Sequence, residues 1–313
     1  MSLRRSQTTQ GNVHAFGGDW TTTKLDVLAR YLKSYTKALR DKPTKDNPFR
    51  KAYIDAFAGT GYRTARREDA QNQSGQFLLL PDLAGDEPQG LLDGSARLAL
   101  KCDPPFDRYI FIERSPERCD QLAALRSEFP TLASAIDVRQ GDANTEIQAL
   151  CGRKPWRDHR AVLFLDPYGM QVEWDTIAAV AATKAIDMWL LFPLGIGVAR
   201  LLTKTGDIPA PWRRRLNLLL GREDWYDEFY RIETSTNLFG EPEQQIVKAT
   251  TETIGRYFNE RLKSVFAAVA PEPRVLHNSS NCPLYLLCFA AGNERGAPIA
   301  LKIANHLLRP GVQ

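Results

Sequence analysis

Four strand-like segments, each ending in or followed by an acidic residue, constrain the fold of this chain more than any other feature: the segment around Tyr53-Ile54-Asp55, the run Tyr109-Ile110-Phe111-Ile112-Glu113, the segment from Ala135 to Gly141 with Asp142 behind it, and Ala161-Val162-Leu163-Phe164-Leu165-Asp166. A run such as Ala161 to Leu165, apolar at every position, leaves no face for water, so it reads as a strand covered on both sides. Amphipathic stretches from Pro116 to about Phe129 and from Trp174 to Thr183 separate such strands, and Ile186 to Pro193 reads as a fifth. Strand and helix alternating at this pitch predict an α/β fold with a doubly wound, mostly parallel sheet. In such a sheet every strand ends at the same edge, so the acids gather where ligands of open α/β sheets bind.

The remaining segments arrange themselves around this core. Residues 1–19 read as a flexible arm and residues 20–195 as a cofactor-binding Rossmann-like core. The core opens on a helix with Leu25, Leu28, Leu32, Tyr35 and Leu39 at three- and four-residue steps, capped by the threonines at 21 to 23. Lys42 to Pro48 ends that helix, Ala52 to Phe57 is the first strand, and Gly59 to Leu92 reads as a long functional loop. Asp93-Gly94-Ser95 is expected to cap a short helix through Leu100. Residues 196–266 read as a helical insertion that carries Trp212, Trp225, Tyr226, Phe229 and Tyr230 and ends in a long helix from Pro242 to about Phe266. Residues 267–313 complete the core, with the strand Leu284 to Phe289 returning beside the fifth and a helix from Ala297 to Leu308.

Composition narrows the function classes. A chain of 313 residues that is 43% apolar can bury one extended sheet with helices on both faces. Its five cysteines are scattered without a C-x-x-C pair, so they are expected to be reduced thiols filling core and strand, with no metal site. No apolar run is long enough to span a bilayer and the first residues are polar, which predicts a cytoplasmic protein without a membrane partner. The formal charge of +4 neither requires nor excludes nucleic acid.

The chemistry is concentrated at the strand ends. The first strand runs through Asp55, Phe57 and Ala58 into the turn Gly59-Thr60-Gly61. Two glycines let the backbone approach a ligand closely; alone, the same residues make an ordinary tight turn. Glu113, followed by Arg114, puts a carboxylate where it can accept ribose hydroxyls, and Asp142, followed by Ala143, can accept from an adenine amino group. Together these residues form a rim for one adenosine. S-adenosylmethionine suits the rim better than a dinucleotide, because Thr64 stands where the nicotinamide fingerprint has its third glycine. Asp166, Pro167 and Tyr168, followed by Gly169, end the fourth strand at the same crevice. A nucleobase amine is a poor nucleophile until its N–H protons are accepted, and Asp166 with the Pro167 carbonyl can accept them while Tyr168 stacks on the base. The alternative is a strand-ending turn, which Asp, Pro and Gly also favour. Arg63, Arg66 and Arg67 follow the glycine turn and are candidates for substrate phosphates, whereas Arg213, Arg214 and Arg215 read more simply as solvated surface.

As an ordered set these motifs resemble the three-Cys-motif partner protein (TcmP) family over nearly the whole chain. The residues that carry the resemblance are Trp20 with Lys24, Tyr53 to Gly61, Gly94-Ser95, Tyr109 to Glu113, Gly141 to Asn144, Phe164 to Gly169 and Tyr285 to Phe289. The resemblance implies a methyltransferase-like fold and a functional pairing with a three-Cys-motif protein similar to radical S-adenosylmethionine enzymes. Asp166-Pro167-Tyr168-Gly169 is also similar to the catalytic motif of amino-directed nucleic-acid methyltransferases. It lacks the second proline of the adenine-N6 type and is closer to the tRNA guanine-N2 form, which leaves the target base open.

Overall fold

The fold is seen in a computed structural model that describes residues 19–59, 94–153, 155–236 and 242–311. Its strands are β1 (Arg50–Asp55), β2 (Arg108–Glu113), β3 (Ile136–Gln140), β4 (His159–Leu165), β5 (Ile186–Phe192), β6 (Tyr230–Thr236), β7 (Pro242–Lys248), β8 (Ala268–Val269), β9 (Arg274–His277) and β10 (Pro283–Ala291). The helices are α1 (Asp19–Ala38), α2 (Ser95–Leu100), α3 (Pro116–Glu128), α4 (Ala143–Arg153), α5 (Trp174–Ala182), the single turn α6 (Ala199–Leu201), α7 (Ala210–Leu220), α8 (Trp225–Phe229), α9 (Thr251–Lys263) and α10 (Ala297–Leu308).

Eight strands make one sheet in the order β3-β2-β1-β4-β5-β10-β8, with β9 also paired to β10. β1 to β5 are mutually parallel, and β10 enters antiparallel beside β5 with Leu286 opposite Phe192. The order reverses direction between β1 and β4, which makes the gap beyond their carboxyl ends the crevice of the fold. Alternation along the strands sorts the core into two layers. Ile54, Ile110, Ile112, Leu163, Leu165 and Met188 pack under α4, α5, α7 and α9, while Tyr53, Tyr109, Phe111, Val162, Phe164 and Trp189 pack under α1, α2, α3 and α10. Both layers are dry, which explains why β4 and β5 carry no solvent-facing polar stripe.

Helix α1 lies along the second layer and is pinned by polar bonds as well as by its leucines. The Tyr31 hydroxyl donates to Asp187 Oδ2 on β5 at 2.8 Å, and the Gly292 amide donates to Oδ1 at 3.2 Å. Burial raises the Asp187 carboxyl to about 6 against the pull of these donors.

The structure departs from the sequence expectation in several places. Helix α1 starts at Asp19, so the threonines at 21 to 23 lie inside it; Thr21 is buried there. Gly94 caps α2 without a side-chain hydrogen bond. The stretch expected to be one helix from Pro242 is strand β7 up to Lys248, paired antiparallel with β6, and the helix begins at Thr251 with Thr250 as its cap. The aromatics of the insertion are core: Trp225 and Phe229 are fully buried, Tyr230 nearly so, and Trp212 and Tyr226 pack against them. Arg213 and Arg214 are exposed, as expected, with Arg213 over the rings of Trp225 and Tyr226, whereas Arg215 is half-buried and pairs with Glu173 at 3.7 Å. Cys288 is buried as expected, whereas Cys282 is exposed. No helix among the described residues is long and apolar enough to cross a membrane.

Candidate functional site

β1 is stitched at its end to both neighbours: the Ala56 amide donates to Phe164 O and the Ala58 amide to Ile112 O, each at 3.3 Å. These bonds carry the chain straight out over the sheet edge into Gly59. There φ is +60°, and a Cβ would meet no atom of the described residues within 4 Å, so among these the turn needs glycine for its backbone angle and not for close packing. Gly61, Arg63, Arg66 and Arg67 lie outside the described residues.

Glu113 closes β2 beside this turn. Its Oε2 accepts from the Gly59 amide at 3.1 Å, and its Oε1 accepts from the amides of Arg114 at 2.8 Å and Ser115 at 3.0 Å. The carboxylate therefore fastens two strand ends together, and it is nearly buried. A carboxylate has about four lone-pair positions. Among the described residues three are taken, which leaves one, on Oε2, for a ligand. Arg114 itself is exposed, while Ser115 caps α3 by accepting from the Arg118 amide at 3.3 Å.

Asp142 stands just after β3, which is tied to β2 by the Gly141 amide donating to Glu113 O at 3.0 Å. Its Oδ1 accepts from the Thr145 amide at 3.1 Å, so the side chain caps the α4 helix that Ala143 opens. Oδ2 is uncommitted among the described residues. Asn144, next in the motif, is structural: it bridges the Gln171 carbonyl, the Glu173 amide and the Thr176 hydroxyl.

Asp55 is wholly buried. The Tyr53 hydroxyl donates to its Oδ2 at 3.2 Å, and Oδ1 has no partner at normal hydrogen-bond geometry among the described residues. Burial pushes this carboxyl up to about 7; the Ser95 hydroxyl, the main opposing influence, pulls it back down. That pull gives a reason for Gly94-Ser95 in the motif set. Because the folded value lies above the unfolded value of 3.8, the folded state holds a proton through this window that the unfolded chain has released. Stability from this group is therefore greatest at low pH and falls as pH rises toward 7. An Asp55→Asn variant, which mimics the protonated form, is expected to gain about 2–4 kcal/mol relative to wild type between pH 5 and pH 8. Urea unfolding at the two pH values checks this, and a pH-independent difference would refute it.

Asp166 follows β4 across the crevice from Gly59, with Pro167 buried, Gly169 at φ +68°, and Tyr168 turned outward at 75% exposure. Lys24 of α1 donates to Asp166 Oδ2 at 2.6 Å, with the two side chains 8% and 25% exposed. Sequence reasoning did not put Lys24 in the site. A signal existed: Lys24, Leu28, Tyr31 and Tyr35 share one stripe of the helix, and a lysine in a buried stripe needs an acidic partner.

The structure thus brings Asp55, Phe57, Ala58, Gly59, Glu113, Asp142, Asp166 and Pro167 to one sheet edge. Parallel strands ordered 3-2-1-4-5 with an antiparallel strand beside the fifth are the class I S-adenosylmethionine-dependent methyltransferase arrangement, and the chain has this methyltransferase-like fold. No family model and no curated protein matches it. Among solved structures, a Legionella pneumophila protein of family DUF519 is 14% identical over 94% of each chain, with a TM-score of 0.44. A spermidine synthase bound to the transition-state analogue AdoDATO is 10% identical over 88% of this chain and 60% of its own, with a TM-score of 0.39. A dimethyladenosine transferase from Plasmodium falciparum is 13% identical over 80% of this chain and 69% of its own, with a TM-score of 0.29. At these scores the strand order in the chain itself carries the fold assignment.

Proposed function

We propose that this chain is an S-adenosylmethionine-dependent methyltransferase that acts on an exocyclic amino nitrogen of a nucleic acid, working with a three-Cys-motif partner protein as its resemblance implies. The observation that carries the reading is the convergence of Glu113, Asp142 and Asp166 with the Gly59 turn on one carboxyl edge at the point where the strand order reverses. The residues fit the cofactor: among the described residues nothing lies within 4 Å of a Cβ built on Gly59, and Glu113 and Asp142 each keep an acceptor position. When bound, S-adenosylmethionine supplies an electrophilic methyl group.

The protein's residues do the rest. Glu113 accepts from a ribose hydroxyl and Asp142 Oδ2 from the adenine amine. Phe57 and Ala58 border the same pocket through the glycine turn. The Asp166 oxygen that Lys24 leaves open accepts an N–H of the acceptor amine, which localises the nitrogen lone pair before attack and then receives the proton. The Pro167 carbonyl accepts the second N–H, and exposed Tyr168 offers a face for the base. A non-catalytic interaction module is the second reading; exposed aromatics in the insertion would favour it, but Trp225, Phe229 and Tyr230 are buried there and Trp212 and Tyr226 pack against the same core.

Calorimetric titration of the full chain with S-adenosylhomocysteine, NAD and ATP tests the cofactor. Micromolar binding of the first alone is expected, whereas NAD binding with a silent S-adenosylhomocysteine titration overturns the reading. Transfer of labelled methyl groups onto RNA or DNA, with base analysis of the product, tests the acceptor.

A further inference from the structure

We infer that Lys24 is a positioning residue for Asp166, so that helix α1 is part of the active site and not only of its scaffold. The inference rests on the methyltransferase reading of the crevice and goes beyond it.

Three observations carry it. The first is the pairing itself: two charged groups 142 residues apart in sequence meet at 2.6 Å, with the lysine side chain only 8% exposed. Taking an ammonium out of water is costly, and a buried ion pair adds little stability over apolar packing of the same volume. The second is that the ammonium is held from another side. Lys24 Nζ lies 4.7 Å from the Trp20 ring centroid, and Trp20 packs on Tyr285 of β10 with centroids 5.2 Å apart. The third is that the height of Lys24 along the sheet is fixed. Tyr31, two helical turns further along the same stripe, donates to buried Asp187. Sliding α1 by one turn would break both bonds.

The consequence is directional. With Oδ2 committed to Lys24, the carboxylate cannot rotate freely, and a single oxygen is presented to the acceptor nitrogen. A carboxylate that turned freely would present its acceptor lone pairs in productive alignment for only part of the time.

The test needs a readout that plain destabilisation does not move. Sinefungin, in which an amine on carbon replaces the sulfonium methyl of S-adenosylmethionine, places a nitrogen donor where the acceptor amine meets the carboxylate. In the wild-type chain sinefungin is expected to bind roughly tenfold more tightly than S-adenosylhomocysteine, through a charge-assisted bond to Asp166. Lys24→Met, which keeps the length of the side chain, is expected to lose that preference while retaining its S-adenosylhomocysteine affinity, and Lys24→Arg is expected to restore most of it. On a methylated polymer, Lys24→Met is expected to lower kcat about a hundredfold with KM little changed. An unchanged ratio of the two affinities in Lys24→Met overturns the positioning role and leaves the methyltransferase reading intact. Failure of both ligands to bind the wild type overturns the reading and, with it, this inference.

Discussion

Methyl transfer by an Asp166→Asn variant is expected to fall about a thousandfold while S-adenosylhomocysteine affinity stays within a few-fold of wild type. Asparagine keeps an oxygen for the Lys24 ammonium, so the buried cation retains a partner; alanine would strand it, at a cost of several kcal/mol that would confuse loss of chemistry with loss of structure. What asparagine cannot do is take a proton from the acceptor amine. Initial-rate measurements beside calorimetry separate the two effects. Transfer at a tenth of the wild-type rate or better would remove Asp166 from the reaction.

The second large effect is expected at Glu113. Its carboxylate accepts three backbone amides from two strand ends, at 3.1, 2.8 and 3.0 Å. Hydrogen bonds to a charged group are worth about 1.5–3 kcal/mol each, although amides this near the surface regain part of that from water. Glu113→Ala is therefore expected to lower stability by about 3 kcal/mol, or roughly 5 °C in Tm. It should also weaken S-adenosylhomocysteine binding about a hundredfold, because both the ribose contact and the set of the Gly59 turn are lost. Glu113→Gln, with one acceptor oxygen, should fall between. Thermal unfolding and calorimetry on the three proteins decide the matter: a Gln variant as weak as the Ala variant would show that charge, not the amide clamp, controls binding.

Much of the sheet was legible because β2 and β4 carry unbroken apolar runs, Tyr109 to Ile112 and Ala161 to Leu165, and because β1 to β4 each end in or run into an acid. The limits of α10 and the pairing of β10 beside β5 were equally readable, since an apolar strand and an amphipathic helix carry their own periods. The hairpin β6–β7 was not. Residues 231–235 and 242–246 are exposed on both faces, so no two-residue period marks them, and the helical period of Ile254, Phe258 and Leu262 was extended back over Pro242. The strand-end acids of the site could be placed from sequence because parallel strands share one edge. The occupancy of their oxygens could not. Which lone pairs of Glu113 and Asp142 are spent on backbone amides depends on turns whose geometry no local pattern encodes, and the bonds of Lys24 and Tyr31 span 142 and 156 positions.

The placement of β10 has a further consequence for how the molecule is assembled. The five parallel strands can pair in sequence as they leave the ribosome, but β5 stays an open edge until residues 283–291 arrive to lie against it, and β8 and β9 have no other neighbour in the sheet. Until then β5, mostly apolar along its length, offers an unprotected hydrogen-bonding rim to any other extended chain. The C-terminal segment thus acts as a built-in guard against mispairing during synthesis, and a chain released before it is made is a candidate for aggregation, not a smaller version of the same fold.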